Sequence, residues 1–251
     1  MRTISEYHRP ATLGEAFELL ARVGVRSTLV AGGTVVNAAG DGAGAATEVE
    51  IIDLQAVCPG TIEEVAGRVV IGAMARLQDL VDSPMVPPLL RELAHREGPN
   101  TLRNAATIGG TVANGDPESE LLAGLLIHEA TVDIERSAGA STVGLSELLA
   151  DPNVLAGGII SSISVATGGA TASARTGRTP ADVPIVAVMG RQTPGGVLLA
   201  VTGVASTPIL ATTGTIDALQ PPADFRGSTE YRRYLAGTLA NRVIGELGGD
   251  A

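Results

Sequence analysis

The feature that most constrains this chain is a pair of glycine-rich turns, Ala31-Gly32-Gly33-Thr34 and Thr107-Ile108-Gly109-Gly110-Thr111. Glycine reaches positive φ and carries no Cβ, so such turns let backbone N–H groups converge and let a ligand come close to them. Holding phosphate requires that geometry, and Thr34 and Thr111 each add a hydroxyl donor. Either turn alone also reads as a purely structural turn, because the chain contains 32 glycines. Neither fits a commoner phosphate pattern. The first lacks a following Gly-Lys-Ser/Thr, and the second lacks GxGxxG spacing with its acidic residue about twenty positions on.

Composition narrows the classes. At 251 residues and 45% hydrophobic, the chain has material for one large or two unequal packed domains. Aromatics make up 2%, so the core rests on Val, Leu, Ile and Ala. There is no lysine, and every fixed cationic side chain is an arginine. With a formal charge of −10 and no basic stripe, nucleic-acid binding is excluded as a class. The single cysteine, Cys58, excludes an internal disulfide and a cysteine-ligated iron–sulfur or zinc site, and reads as a small buried residue. No signal peptide and no apolar run long enough for a membrane span is visible, which predicts a cytoplasmic location.

Along the chain, 12–22 predicts a helix with Thr12 as N-cap and Glu15 closing a capping box. Strands are expected at 27–31, 49–54, 68–71, 131–134 and 159–165, and helices at 77–81, 87–95 and 120–128. The Gly- and Ser/Thr-rich stretch 166–180 reads as a loop and a domain boundary, followed by strands at 183–189 and 197–204 and a helix from Ser228 to about Leu247. Asp116 and Glu120 lie just past the second turn. Phosphate would repel them, so each should face a ribose hydroxyl or a helix N-terminus, and for Glu120 both readings stay open. His8, His95 and His128 are scattered and read as core or surface groups.

Taken in order, the two turns, Ile51-Ile-Asp-Leu54, Ile71-Gly-Ala-Met-Ala-Arg76 and Arg103-Asn-Ala-Ala-Thr-Ile-Gly-Gly-Thr111 resemble the FAD-binding (medium) subunit of the molybdenum hydroxylases. Ala113-Asn-Gly-Asp-Pro117 looks most like the carbon monoxide dehydrogenase type within that group, which also holds the xanthine dehydrogenases. The resemblance implies an α+β fold: a two-subdomain FAD-binding region (PCMH-type) over 1–168, then a small C-terminal domain over 169–251 with a three-stranded antiparallel sheet and helices. It implies FAD as cofactor, with Ala31, Gly32, Gly33, Thr34, Val35 and Val36 and Thr107, Ile108, Gly109, Gly110 and Thr111 around the pyrophosphate and flavin. By position, Glu120 falls at the adenosine ribose and Ile160 near the flavin. Asp116 joins Glu120 as a candidate, and Arg175 or Arg178 would replace a lysine that relatives carry near the ring. Implied partners are a molybdenum-cofactor large subunit and a [2Fe-2S] small subunit. The implied activity is oxidoreductase, passing electrons from those clusters to an external acceptor. A stand-alone flavoenzyme and a flavin-free binding or assembly protein remain as alternatives, because 172–178 carries no aromatic to cover the ring.

Overall fold

The computed structural model describes residues 2–22, 24, 26–35, 47–177, 179 and 182–248. Val36 and Arg178, both named above, lie outside them. Three sheets organise the chain. The first is parallel and three-stranded, with β3 (Thr47–Asp53) between β1 (Arg2–His8) and β2 (Ser27–Val30). A crossover helix, α1 (Leu13–Leu20), joins β1 to β2, as parallel pairing requires. Thr12 caps α1 by accepting from the Glu15 amide at 3.2 Å, while the Glu15 carboxylate reaches back to the Ala11 amide instead of that of Thr12.

The second sheet is antiparallel, in the order β4 (Ile62–Val65), β5 (Arg68–Gly72), β8 (Ile159–Ala166), β6 (Thr131–Glu135), β7 (Ser141–Gly144). Against it and the first sheet pack α2 (Leu77–Asp82), α3 (Pro88–Arg96), α4 (Asn100–Arg103), α5 (Ile108–Asn114), α6 (Glu120–Ile127) and α7 (Leu145–Ala150). Every residue of α6 is buried, so this helix is apolar on all sides and lies at the centre of the molecule.

The third sheet is antiparallel, in the order β12 (Ile209–Ala211), β11 (Gly196–Thr202), β10 (Val186–Thr193), β9 (Thr171–Thr176). The pleat of β10 sends Val186 and Val188 toward α9 (Thr229–Glu246), while Ala187 and Met189 join the main core with α6. A short helix, α8 (Thr213–Ile216), precedes α9. β9 falls inside the stretch expected to be a loop, because Ala174 is its one fully buried residue and gives no alternating signal. The expected three strands gain β12, whose three residues are too few to read as a strand.

Arg191 ties this sheet to the rest. Buried on β10, it donates to the carbonyls of Ile127 and Gly168 and pairs with Glu129. Thus a guanidinium closes the C-terminal end of α6, where helix carbonyls lack partners. Among the described residues no helix is long and apolar enough to cross a membrane.

Candidate functional site

The first glycine turn leaves β2 at Ala31 and passes through Gly33, whose φ of +71° favours glycine. Gly32 is required for a different reason. A Cβ there would lie 2.0 Å from the carbonyl oxygen of Ala105, so the turn rests directly on the backbone leading into the second turn. Among the described residues, the amides of Gly32 and Gly33 have no acceptor.

The second turn behaves differently. The Ile108 amide donates to Ala75 O at 3.0 Å, and the Gly109 amide to Ala73 O at 3.0 Å. Thr107 caps α5, its hydroxyl accepting from the Gly110 amide at 3.2 Å, and the Thr111 amide returns to Thr107 O at 2.9 Å. The amides of Ile108 to Thr111 are thus engaged within the protein, while that of Thr107 has no acceptor among the described residues. Of the expected Thr107–Thr111 set, Thr107, Gly110 and Thr111 form cleft wall, and Ile108 is fully buried behind it. Gly109 is also a packing glycine, since a Cβ would meet Ala73 Cβ at 2.8 Å.

Between the turns opens a cleft of two lobes. One, of about 650 Å³, is lined by Ala31 to Val35, Thr107, Gly110, Thr111 and Asn114. The other, of about 570 Å³, is lined by Arg96, Arg103, Glu118 to Glu120, Arg175 and Val183. Glu97 and Asp116 line both, so the lobes meet there.

The charges at this junction are distinctive. Glu120 opens α6 one residue after its N-cap, Ser119, and is held between Arg96 at 3.3 Å and Arg175 at 3.2 Å. Burial pushes its carboxyl up, and the guanidinium groups of Arg175 and Arg96 pull it back. Burial also raises Asp116, whose Oδ1 accepts from the Glu118 amide at 2.9 Å. Arg175 further donates to the carbonyl of Asp182. Arg103 is fixed by Gln78 Oε1 and the carbonyls of His95 and Gly98.

Glu97 had no sequence signal. It follows α3 and is 22 positions from its partner Ser119, whose hydroxyl donates to Glu97 Oε1 at 2.8 Å. The Leu121 amide donates to the same oxygen at 3.1 Å. Only the folded chain brings these groups together. Ile160, by contrast, is buried in β8, where its carbonyl faces the thiol of Cys58 at 3.6 Å, and it lines neither lobe. Burial pushes that thiol up to about 11, so it is an inert core group.

A family model described as the FAD binding domain in molybdopterin dehydrogenase matches residues 2–166. The chain belongs to that family. It is 28% identical to the carbon monoxide dehydrogenase medium chain of Hydrogenophaga pseudoflava, over 95% of each chain. A crystal structure of the Cu,Mo-CO dehydrogenase in cyanide-inactivated form superposes with a TM-score of 0.84 at 25% identity, over 98% of both chains. Quinoline 2-oxidoreductase from Pseudomonas putida 86 shares the fold, with a TM-score of 0.83 at 21% identity, over 98% of this chain and 96% of that one.

FAD is the cofactor of this family, and the residues present fit it. Among the described residues the Gly32 and Gly33 amides are unengaged, at two positions without Cβ atoms, which suits a pyrophosphate. The cleft runs on past them through polar side chains into a second lobe, which suits an elongated dinucleotide. Among the described residues no aromatic side chain lines either lobe.

Proposed function

We propose that this chain is the electron-transferring flavoprotein subunit of a molybdenum hydroxylase. It receives electrons from a [2Fe-2S] small subunit, while a molybdenum-cofactor large subunit oxidises the substrate, and it delivers them to an external acceptor. The observation that carries this reading is the two-lobed cleft between the glycine turns and the arginine-rich wall, in a chain of the FAD-binding family. FAD supplies the redox chemistry, collecting electrons and releasing them in pairs. The residues of the chain supply position: Gly32 and Gly33 direct amides at phosphate, and the Arg96–Glu120–Arg175 ion-pair chain fixes the far lobe. With Cys58 as its one cysteine, the chain depends on partners for clusters. We assign residues 1–168 to the FAD-binding region and 169–251 to the C-terminal domain, supported by a second hydrophobic cluster whose buried members run from Ala174 to Ile244.

The test is the flavin content of the purified chain, followed by reduction with substrate alone and in the presence of the two partner subunits. Reduction only in the assembled complex supports the subunit reading. Bleaching of the isolated chain by substrate overturns it in favour of a stand-alone flavoenzyme, and a chain that ignores added FAD overturns both.

A further inference from the structure

The walls of the cleft carry several carboxylates, of which Glu118 pairs with Arg226 and Glu120 with Arg96 and Arg175. Asp116, Glu118 and Glu120 face Glu97 from the segment entering α6, and Asp182 faces the same lobe after β9. The cations in that lobe are already committed. Arg96 pairs with Glu92 and Glu120, Arg103 with Gln78 and two carbonyls, and Arg175 with Glu120 and Asp182 O. His95 is the remaining titratable group on the wall.

Glu97 stands at the junction of the lobes with one oxygen fixed and one open. Its Oε1 takes both protein donors, Ser119 Oγ and Leu121 N, while Oε2 has no partner among the described residues. Burial, reinforced by the charges of Asp116 and Glu120, favours the protonated carboxyl, and the two donors to Oε1 oppose this less strongly. A proton on such a group resides on Oε2, the oxygen without a donor, where it can be given to a ligand oxygen.

We propose that Glu97 is a cofactor-binding residue that acts as a neutral carboxylic acid, donating from Oε2 to an oxygen of the phosphate–ribose run of FAD, so that cofactor uptake requires a proton on Glu97. This rests on the cleft being the FAD site. Two amides provide donors at the first turn, and the protonated Glu97 provides a third where the lobes join. Ionised, the same side chain would set a negative charge against the pyrophosphate.

Glu97→Gln is the decisive variant, because glutamine keeps Oε1 for Ser119 and Leu121 and places a permanent N–H donor where Oε2–H stood. The experiment titrates FAD into the FAD-stripped full chain across about pH 5 to 9, reading flavin fluorescence, and repeats it by calorimetry in two buffers of different ionisation enthalpy. For the parent chain we expect affinity to fall by about tenfold per pH unit above the titration of Glu97, with proton uptake at the alkaline end. Glu97→Gln should hold the low-pH affinity throughout, with no uptake assigned to this site. Asp116→Asn should leave the pH dependence in place. A parent affinity flat with pH overturns the proposal, as does a Glu97→Gln profile that follows the parent or a profile flattened by Asp116→Asn alone. Gly33→Val separates the two readings. If it leaves FAD binding intact, the cleft is not the site and the inference falls with it; if it abolishes binding while Glu97→Gln changes nothing, the inference alone falls.

Discussion

Replacing Gly32 with alanine asks what the first glycine turn is for. If glycine is there only to let a phosphate approach, the variant should weaken FAD binding and leave the FAD-free protein as stable as before. The structure says otherwise. The added Cβ would lie 2.0 Å from Ala105 O, 2.8 Å from Ala105 C and 3.0 Å from Ala106 Cα, and all three neighbours are backbone atoms that cannot rotate away. Ordinary carbon–oxygen contact needs roughly 3.4 Å, so the two turns must part by about 1 Å or more. Overpacking of this kind costs about 1–3 kcal/mol. For a chain of this size about 2 kcal/mol lowers Tm by roughly 4–8 °C. The assay is thermal unfolding of FAD-stripped Gly32→Ala beside the parent, followed by FAD titration. We expect both stability and affinity to fall, because parting the turns also moves the Gly32 and Gly33 amides. An FAD-free variant that melts within a degree or so of the parent would refute the argument that this glycine serves a contact between the turns.

Other expectations follow from the same contacts. Thr107→Ala removes the acceptor for the Gly110 amide and should cost about 1 kcal/mol by chemical denaturation. Buried His128, whose Nδ1 lies 2.7 Å from Ala166 O, is lowered by burial from 6.5 to about 4. The unfolded chain therefore binds the extra proton between those values, so the contribution of His128 to stability is full above about 6.5 and is lost as pH falls toward 4. Denaturation midpoints of His128→Gln should vary less over that window than those of the parent. Arg191→Met should leave the Ile127 and Gly168 carbonyls without their buried donor, at about 1–3 kcal/mol for each unpaired group. Faster proteolytic cleavage near 167–170 would register that loss.

What the sequence made legible was what local chemistry decides. The capping of α1 by Thr12, the apolar length of α6 and the alternation of β8 are all carried by neighbours in the chain, and the structure places them where those patterns point. β9 failed on the same ground: Thr171–Thr176 is short and small-sided, and it is a strand because β10 offers it an edge. The glycine turns divide along this line as well. Their lack of Cβ atoms is visible in the sequence, yet whether an amide is free depends on distant carbonyls at Ala73 and Ala75, which engage the second turn and leave the first open.

The carboxylates carry the argument one step further. Spacing placed Asp116 and Glu120 beside a phosphate site and required them to turn elsewhere. Glu120 does so through Arg96 and Arg175, cations that come from helix α3 and strand β9 and meet only after the C-terminal sheet has docked on α6. Glu97 is invisible to the same reasoning, since nothing adjacent in sequence marks it, and its role follows from three facts that exist only in the fold: one oxygen held by the start of α6, one left open, and a position where both lobes meet. A cleft that pairs its cations internally leaves backbone amides and protonated acids to act as donors beside side chains such as the Thr34 hydroxyl. In this chain the first are at Gly32 and Gly33, and the second, on the geometry of the junction, is Glu97.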